Sequence, residues 1–358
     1  MPKKILVVDD SALMRRVLCD IIESDRKFQV ADKAADGLEA LKLLMENRYD
    51  AVVLDVNMPK MTGLELLEEL RRNKIPARVM MASTDTGEGA KTTLDALELG
   101  ALDFIQKPGT AFHCRGDAFR KDFLRVLEGV SSGRLSVFEA EEKGQERAGE
   151  AARAAELAGR AARTPGAKVV AIASSTGGPR ALQAVIPRLP AGLDAPVLLV
   201  QHMPKGFTAS LAERLNGLGA IAVREAKEGE ELQKGTVYVA RGGAHMNVSS
   251  AGGRHTIRYS DEPNREGVKP CANYMYESLS DSRFDKVLCV VMTGMGADGT
   301  EGIRNLKARK KVHVISQDQE SCTVYGMPKS VTNAGLSDQT VPLDQIAQEI
   351  ILNVGVRG

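Results

Sequence analysis

The strongest constraint on the fold is a rhythm in the first 128 residues. Five short apolar runs each stop on polar residues, and each is followed by helical spacing. Lys4 to Val8 stops at Asp9-Asp10, and Leu13, Met14, Val17, Leu18, Ile21 and Ile22 then fall on one helical face. Phe28 to Ala31 reads as a second strand and Gly37 to Met45 as a second helix. Ala51 to Leu54 stops at Asp55, before a helix opened by Leu64, Leu67 and Leu70. Arg78 to Ala82 stops at Ser83-Thr84, before a helix marked by Leu94, Leu97 and Leu99. Leu102 to Gln106 stops at Lys107-Pro108, before a helix with Phe119, Phe123, Val126 and Leu127. Strict strand–helix alternation implies a five-stranded, doubly wound parallel sheet, since parallel neighbours need a crossover that a helix supplies.

In such a sheet, function gathers at the carboxyl ends of the strands. Asp9, Asp10, Asp55, Ser83 and Lys107 all belong there. Three carboxylates in one crevice repel unless a cation sits among them, and oxygen ligands select a hard ion such as Mg²⁺. A carboxylate can also accept a phosphoryl group, with a lysine opposite as a point charge. A single strand-end aspartate is more often a solvated helix cap. Five polar residues, each at a strand end, oppose that plainer reading.

This pattern resembles the receiver domain of two-component response regulators over residues 1–128. The resemblance implies that Asp55 is the phosphoacceptor. It implies that Asp9, Asp10, Asp55 and the backbone carbonyl of Asn57 surround Mg²⁺, that Ser83 is the switch hydroxyl, and that Lys107 contacts the phosphoryl oxygens. The Lys107-Pro108 peptide is often cis in that family.

From Gly129 to Ala167 large apolar residues become rare, and half of Ala148–Arg163 is alanine mixed with Glu and Arg. That favours helix by propensity but offers almost no core face, so 129–167 reads as a semi-rigid, partly helical linker. Composition narrows the function. With 48 basic against 47 acidic residues and no long basic block, nucleic acid is not an expected partner. No run of about 18 apolar residues occurs, so no membrane insertion is expected. Five scattered cysteines, Cys19, Cys114, Cys271, Cys289 and Cys322, lack zinc or C-x-x-C spacing and read as reduced core thiols. A cytoplasmic enzyme or regulator fits these features.

A second alternating pattern fills residues 168–358, implying another α/β domain with a mostly parallel sheet. Its first strand, Lys168 to Ala173, runs into Ser174-Ser175-Thr176-Gly177-Gly178 and then a helix with Ala181, Leu182, Val185 and Ile186. A hydroxyl at a strand-to-helix turn sits beside free N–H groups and the positive end of a helix dipole. Taken alone, this is as readily a phosphate-binding or merely tight turn. Val197 to Val200 leads into Gln201-His202-Met203-Pro204, and Val287 to Met292 leads into Thr293-Gly294-Met295-Gly296-Ala297-Asp298-Gly299. Ser175, His202 and Asp298 thus each follow a strand and can meet at one sheet edge. Such a set can deprotonate a hydroxyl, carry its proton and hold the imidazole in one tautomer. The order Ser…His…Asp and the absence of G-x-S-x-G exclude the ordinary lipase-type pattern.

The motifs Ala-Ser-Ser-Thr-Gly-Gly at 173–178, Gln-His-Met-Pro at 201–204, Gly-Gly-Ala-His-Met at 242–246, Thr-Gly-Met-Gly-Ala-Asp-Gly at 293–299 and Tyr-Gly-Met-Pro at 325–328 resemble the effector domain of chemotaxis protein-glutamate methylesterases and glutamine deamidases. The resemblance implies Ser175 as nucleophile, His202 as base and Asp298 as orienting acid. It implies that backbone N–H groups near Thr176 and Met295 form the oxyanion hole, with Ser174 a structural neighbour. It implies no cofactor for hydrolysis. The implied substrates are γ-glutamyl methyl esters and certain glutamines of methyl-accepting chemotaxis receptors, and the implied phosphodonor is the chemotaxis histidine kinase. In the implied control, the unphosphorylated receiver covers the Ser175 edge. Arg241 stands where a proline is usual, and Pro270-Cys271-Ala272-Asn273 stands where Pro-Ser-Val-Asp is usual. The loss of a charge at Asn273 is expected to alter substrate preference. His245 is a rival base, read as a turn residue with a structural or substrate-contacting role. A second domain that binds without hydrolysing and a transcription factor are the competing classes.

Overall fold

The computed structural model describes residues 1–84, 87–110, 113–134 and 166–357. The chain forms two compact units, residues 1–141 and 142–358. The expected helical linker falls almost wholly outside the described residues.

The first unit is a five-stranded parallel sheet with strand order β2-β1-β3-β4-β5. The strands are β1 (Lys3–Val8), β2 (Phe28–Ala34), β3 (Ala51–Asp55), β4 (Val79–Thr84) and β5 (Asp103–Lys107). The crossover helices are α1 (Ala12–Glu23), α2 (Gly37–Glu46), α3 (Gly63–Arg72) and α4 (Gly87–Glu98), with α5 (Asp117–Ser132) following β5. Central strands β1 and β3 are apolar and buried on both faces, as parallel strands covered by helices must be. β2 extends three residues past Ala31 because it is an edge strand. Its exposed Gln29 and Lys33 and half-buried Asp32 pair through the backbone while hiding the apolar signal. Ile5, Val7, Leu18, Ile22, Met80, Phe123 and Leu127 make the core on the α1–α5 side. Helix α3 starts with a reciprocal cap: the Thr62 hydroxyl accepts from the Glu65 N–H while the Glu65 carboxylate accepts from the Thr62 N–H.

The second unit is a seven-stranded sheet of order β14-β13-β12-β6-β7-β9-β8, every pair parallel, plus an antiparallel hairpin. The sheet strands are β6 (Lys168–Ser174), β7 (Val197–Gln201), β8 (Ala222–Glu225), β9 (Thr236–Val239), β12 (Lys286–Val291), β13 (Val312–Gln317) and β14 (Gln339–Val341). The hairpin is β10 (His245–Ala251) with β11 (Arg254–Ser260), turning at Gly252-Gly253, both with positive φ. The edge strands β8 and β14 have four and three residues, too short to show in the apolar pattern. The helices are α6 (Gly178–Val185), α7 (Phe207–Leu218), α8 (Ala272–Ser278), α9 (Thr300–Lys307), α10 (Met327–Asn333) and α11 (Leu343–Val354). All seven residues of β6 are buried, which fixes it at the centre. The chain grows outward from β6 through β7 on one side and through β12 on the other. The order of strands therefore reverses between β6 and β12, and crevices at such a reversal receive ligands. No helix among the described residues is long and apolar enough to cross a membrane.

Candidate functional site

Each sheet has one cluster at its carboxyl edge. In the first unit, β1 leads to Asp9 and Asp10, β3 ends on Asp55 and β5 ends on Lys107. Carboxylate oxygens of the three aspartates lie within 4.8 Å of one another. Lys107 Nζ reaches Asp55 Oδ1 at 2.8 Å and Asp9 Oδ2 at 3.0 Å. Asp9, Asp55 and Lys107 are buried while Asp10 is exposed, so the cluster opens to solvent on one side. Burial raises the Asp55 pKa; Lys107 pulls it down, the Asp9 charge pushes it up, and the net direction is upward. Burial works against the Lys107 charge, but Asp55 and Asp9 outweigh it and hold the ammonium above its ordinary pKa. Ser83 is buried near the end of β4, and Asn57 is exposed two residues past Asp55. A Cβ on Gly63 would lie 2.3 Å from the Asp55 carbonyl oxygen, so only glycine lets α3 start this close to the acidic strand. The cis X–Pro bond among the described residues is Lys269–Pro270, not Lys107–Pro108. Three carboxylates against one ammonium leave net negative charge on an all-oxygen donor set, which suits a small hard divalent cation.

In the second unit the register sets the site. Ser174 pairs with Gln201 across β6 and β7, so Ser175 and His202 are the next residues on neighbouring strands. The His202 N–H donates to the Ser174 carbonyl at 3.1 Å, continuing the ladder one step. Ser174 is wholly buried, and its hydroxyl donates to Gln201 Oε1 at 2.7 Å. The Gln201 amide then donates to the Ser175 carbonyl at 3.0 Å and the His202 carbonyl at 3.3 Å. This makes Gln201 a brace for both strand ends, a role the sequence does not disclose. On the other side of β6, the Ser175 N–H donates to the Thr293 carbonyl at 3.0 Å, fastening the turn to the end of β12. Space there is minimal: a Cβ on Gly294 would lie 2.7 Å from the Ser175 Cβ, and one on Gly178 would lie 2.0 Å from Gln201 Oε1. Gly177, with φ of 76°, turns the strand into α6.

Asp298 is buried and accepts four bonds. His202 Nε2 lies 2.7 Å from its Oδ2, which also accepts the Ala272 N–H at 2.6 Å. Its Oδ1 accepts the Asn273 N–H at 2.9 Å and the Cys271 thiol at 3.0 Å. Burial would raise the Asp298 pKa, but the bonds from His202, Cys271 and Ala272 outweigh it and hold the carboxyl below its ordinary value. An ionised carboxylate only accepts, so His202 Nε2 carries a proton, and in the neutral ring Nδ1 is then the nitrogen with the lone pair. Nδ1 is buried without a partner among the described residues. The hydrogen bonds around the turn engage the carbonyl of Thr176, which accepts from the Thr293 hydroxyl at 2.9 Å, but neither the Thr176 nor the Met295 N–H among the described residues.

Two expectations change here. His245 is no turn residue: it opens β10, is fully buried, donates from Nε2 to the Glu262 carbonyl at 3.1 Å and accepts the Cys271 N–H at 3.2 Å. It holds the segment that holds Asp298. Asn273 does not face a substrate, because it is fully buried, and its side-chain oxygen accepts the N–H groups of Gly299 at 3.1 Å and Gly302 at 2.6 Å. The backbone donors to Asp298 carry no side-chain signature, so sequence patterning has no means of finding them.

Together these features define a two-domain regulator: an acidic-pocket receiver sheet and an α/β effector with Ser, His and Asp on its central edge. The chain belongs to the CheB methylesterase family, matched by residues 170–350, and residues 5–113 match the response regulator receiver domain. A protein-glutamate methylesterase/protein-glutamine glutaminase of Geobacillus kaustophilus is 41% identical, covering 98% of this chain and 99% of its own length. One of Pyrococcus abyssi is 39% identical over 97% of this chain and 92% of its own. The CheB methylesterase catalytic domain of Thermotoga maritima is 39% identical with a TM-score of 0.51, covering 52% of this chain and 98% of that domain.

Proposed function

We propose that the chain is a receiver-regulated serine hydrolase of bacterial chemotaxis. It demethylates glutamyl methyl esters on chemoreceptors and deamidates certain receptor glutamines. The observation that carries this reading is the His202–Asp298 pair, whose bonding through Nε2 leaves Nδ1 free to act as base on the neighbouring strand end. In the proposed reaction Ser175 Oγ attacks the ester carbonyl while its proton moves to His202 Nδ1. Asp298 stabilises the imidazolium that forms. The N–H groups of Thr176 and Met295 receive the developing oxyanion. The imidazolium then protonates the departing methoxide, and methanol leaves. Water repeats the sequence on the acyl-enzyme to give glutamate and restore Ser175. With a glutamine substrate, ammonia is the first leaving group. Rapid labelling of Ser175 by a fluorophosphonate, together with methanol release from methylated receptor, tests this assignment. An unlabelled Ser175 in folded protein leaves the binding-module reading instead.

In the receiver we propose Asp55 as phosphoacceptor from the chemotaxis histidine kinase. Asp9, Asp10, Asp55 and the Asn57 carbonyl would hold Mg²⁺, a fit supported by the clustered oxygens and the raised Asp55 pKa. The bound ion supplies charge neutralisation for the incoming phosphoryl oxygens. Lys107 pairs with those oxygens and Ser83 follows them. Residues 1–128, 129–167 and 168–358 act as receiver, linker and effector. Phosphorylation relieves a block of the Ser175 edge by the receiver, and the protein works in the cytoplasm. The test of control is the ratio of isolated effector to full-chain activity without phosphodonor. A ratio at or below one overturns the block.

A further inference from the structure

The segment after Pro270 does more than fill space behind the proposed site. Asn273 is fully buried at the first turn of α8, and it touches the Asp298 loop from two directions. Its backbone N–H donates to Asp298 Oδ1 at 2.9 Å. Its side-chain oxygen accepts from Gly299 at 3.1 Å and Gly302 at 2.6 Å, the residues just after Asp298 and in the first turn of α9. The packing allows no slack, since a Cβ on Gly302 would lie 2.6 Å from the Asn273 Cα. The Asn273 side-chain nitrogen, in contrast, is buried and has no partner among the described residues. An amide whose oxygen is doubly used and whose nitrogen is orphaned is an imperfect choice for a simple clamp. A carboxylate of the same shape would accept both N–H groups and leave no orphan donor. The remaining difference between the two side chains is charge.

We infer that Asn273 is a positioning residue for the reaction at Ser175: it locks the loop bearing Asp298, and its neutrality leaves Asp298 as the single buried carboxylate beside His202. This rests on the Ser–His–Asp reading above. The other titratable groups facing Asp298 are His202 from the end of β7, Cys271 from the segment before α8 and Tyr276 from α8. Burial, reinforced by Asp298, pushes the Cys271 thiol far up, and burial does the same to the Tyr276 phenol. Both stay neutral through the working pH range. Arg265, which interacts with Cys271, is paired with Glu277 at 2.8 Å. A second carboxylate at 273 would add a negative charge beside the His202–Asp298 pair, with Arg265 already committed to Glu277. It would favour the protonated imidazole, which cannot act as base.

The experiment measures the rate of Ser175 labelling by a fluorophosphonate, and of simple-ester hydrolysis, as a function of pH in the full-length chain. Asn273→Asp is expected to move the acid limb of both profiles up by about one pH unit. Asn273→Ala, which removes the clamp without adding charge, is expected to lower the plateau about tenfold or more while leaving the midpoint in place. An unmoved midpoint in the aspartate variant, or an alanine variant within twofold of the parent, overturns the inference. If one variant fails to fold by thermal melting, the other decides. If the parent chain is not labelled at Ser175, the hydrolase reading fails rather than this one.

Discussion

The two domains each bury an aspartate at the carboxyl edge of a parallel sheet, yet the surroundings drive the two carboxyls in opposite directions. Asp298 accepts from an imidazole, a thiol and two backbone N–H groups, and its pKa is held down. Asp55 accepts the Val56 N–H and shares one lysine with Asp9, and burial leaves its pKa raised. The Asp298 carboxylate has both oxygens engaged by hydrogen bonds and is preorganised as a charge beside His202. The receiver site is short of positive charge. A preorganised carboxylate suits chemistry repeated on many substrates, whereas a site short of positive charge suits a switch that responds when a cation and a phosphoryl group arrive.

The largest effect should come from the effector site. Ser175→Ala is expected to lower methanol release from methylated receptor by about three or more orders of magnitude. Asp298→Asn should cost about as much while the fold survives, because the imidazole loses its tautomer. His202→Ala should be severe and worse than His245→Ala. The reverse ranking would name His245 as the base despite its two backbone partners.

A second expectation sharpens the contrast at the receiver. Asp55→Asn should abolish any rise in activity with acetyl phosphate and Mg²⁺, while Ser175 is still labelled at the unstimulated rate. A retained response would place the phosphoacceptor elsewhere.

Acid and metal should separate the two aspartates by sign. A carboxyl with a lowered folded pKa contributes stability above its unfolded value, about 3.9, and loses it as pH falls through the folded value. Asp298 therefore favours folding of the effector at neutral pH and ceases to do so in acid. Asp55, with a raised folded pKa, opposes folding at neutral pH, and that opposition disappears as pH falls toward the unfolded value. Asp55→Asn should therefore melt higher than the parent at pH 7, with the gap narrowing by about pH 4. Asp298→Asn should melt lower at pH 7. Parallel shifts of one sign would remove the contrast. Mg²⁺ at about ten times its Kd should stabilise the receiver by about 1.4 kcal/mol in differential scanning calorimetry, and Asp55→Asn should lose most of that gain.

The smallest effect is expected next door to the proposed nucleophile. Ser174→Ala deletes one buried hydroxyl contact to Gln201, a loss of about 1 kcal/mol in stability, and should leave turnover within a few fold. A loss as deep as that of Ser175→Ala would mean that the roles of the two serines are reversed.

The information legible in the chain alone is local. A strand in a parallel sheet announces itself as an apolar run, and the residue that ends it is the next one in the chain. That is why Asp9, Asp55, Lys107, Ser175 and His202 can all be placed at carboxyl edges from residue order and hydropathy. The tertiary fold decides what no local pattern encodes. Strand register makes Ser175 and His202 neighbours and turns Gln201 into their brace. The choice of Nε2 as the ring nitrogen facing Asp298 depends on the ring's approach from β7 across 96 residues of sequence. Asn273 reads in the chain as a lost charge beside the substrate, but burial makes it the clamp of α9 and the Asp298 loop. Hydrogen bonds to backbone N–H groups leave no trace in side-chain identity, so their donors become visible only when folding has brought them together.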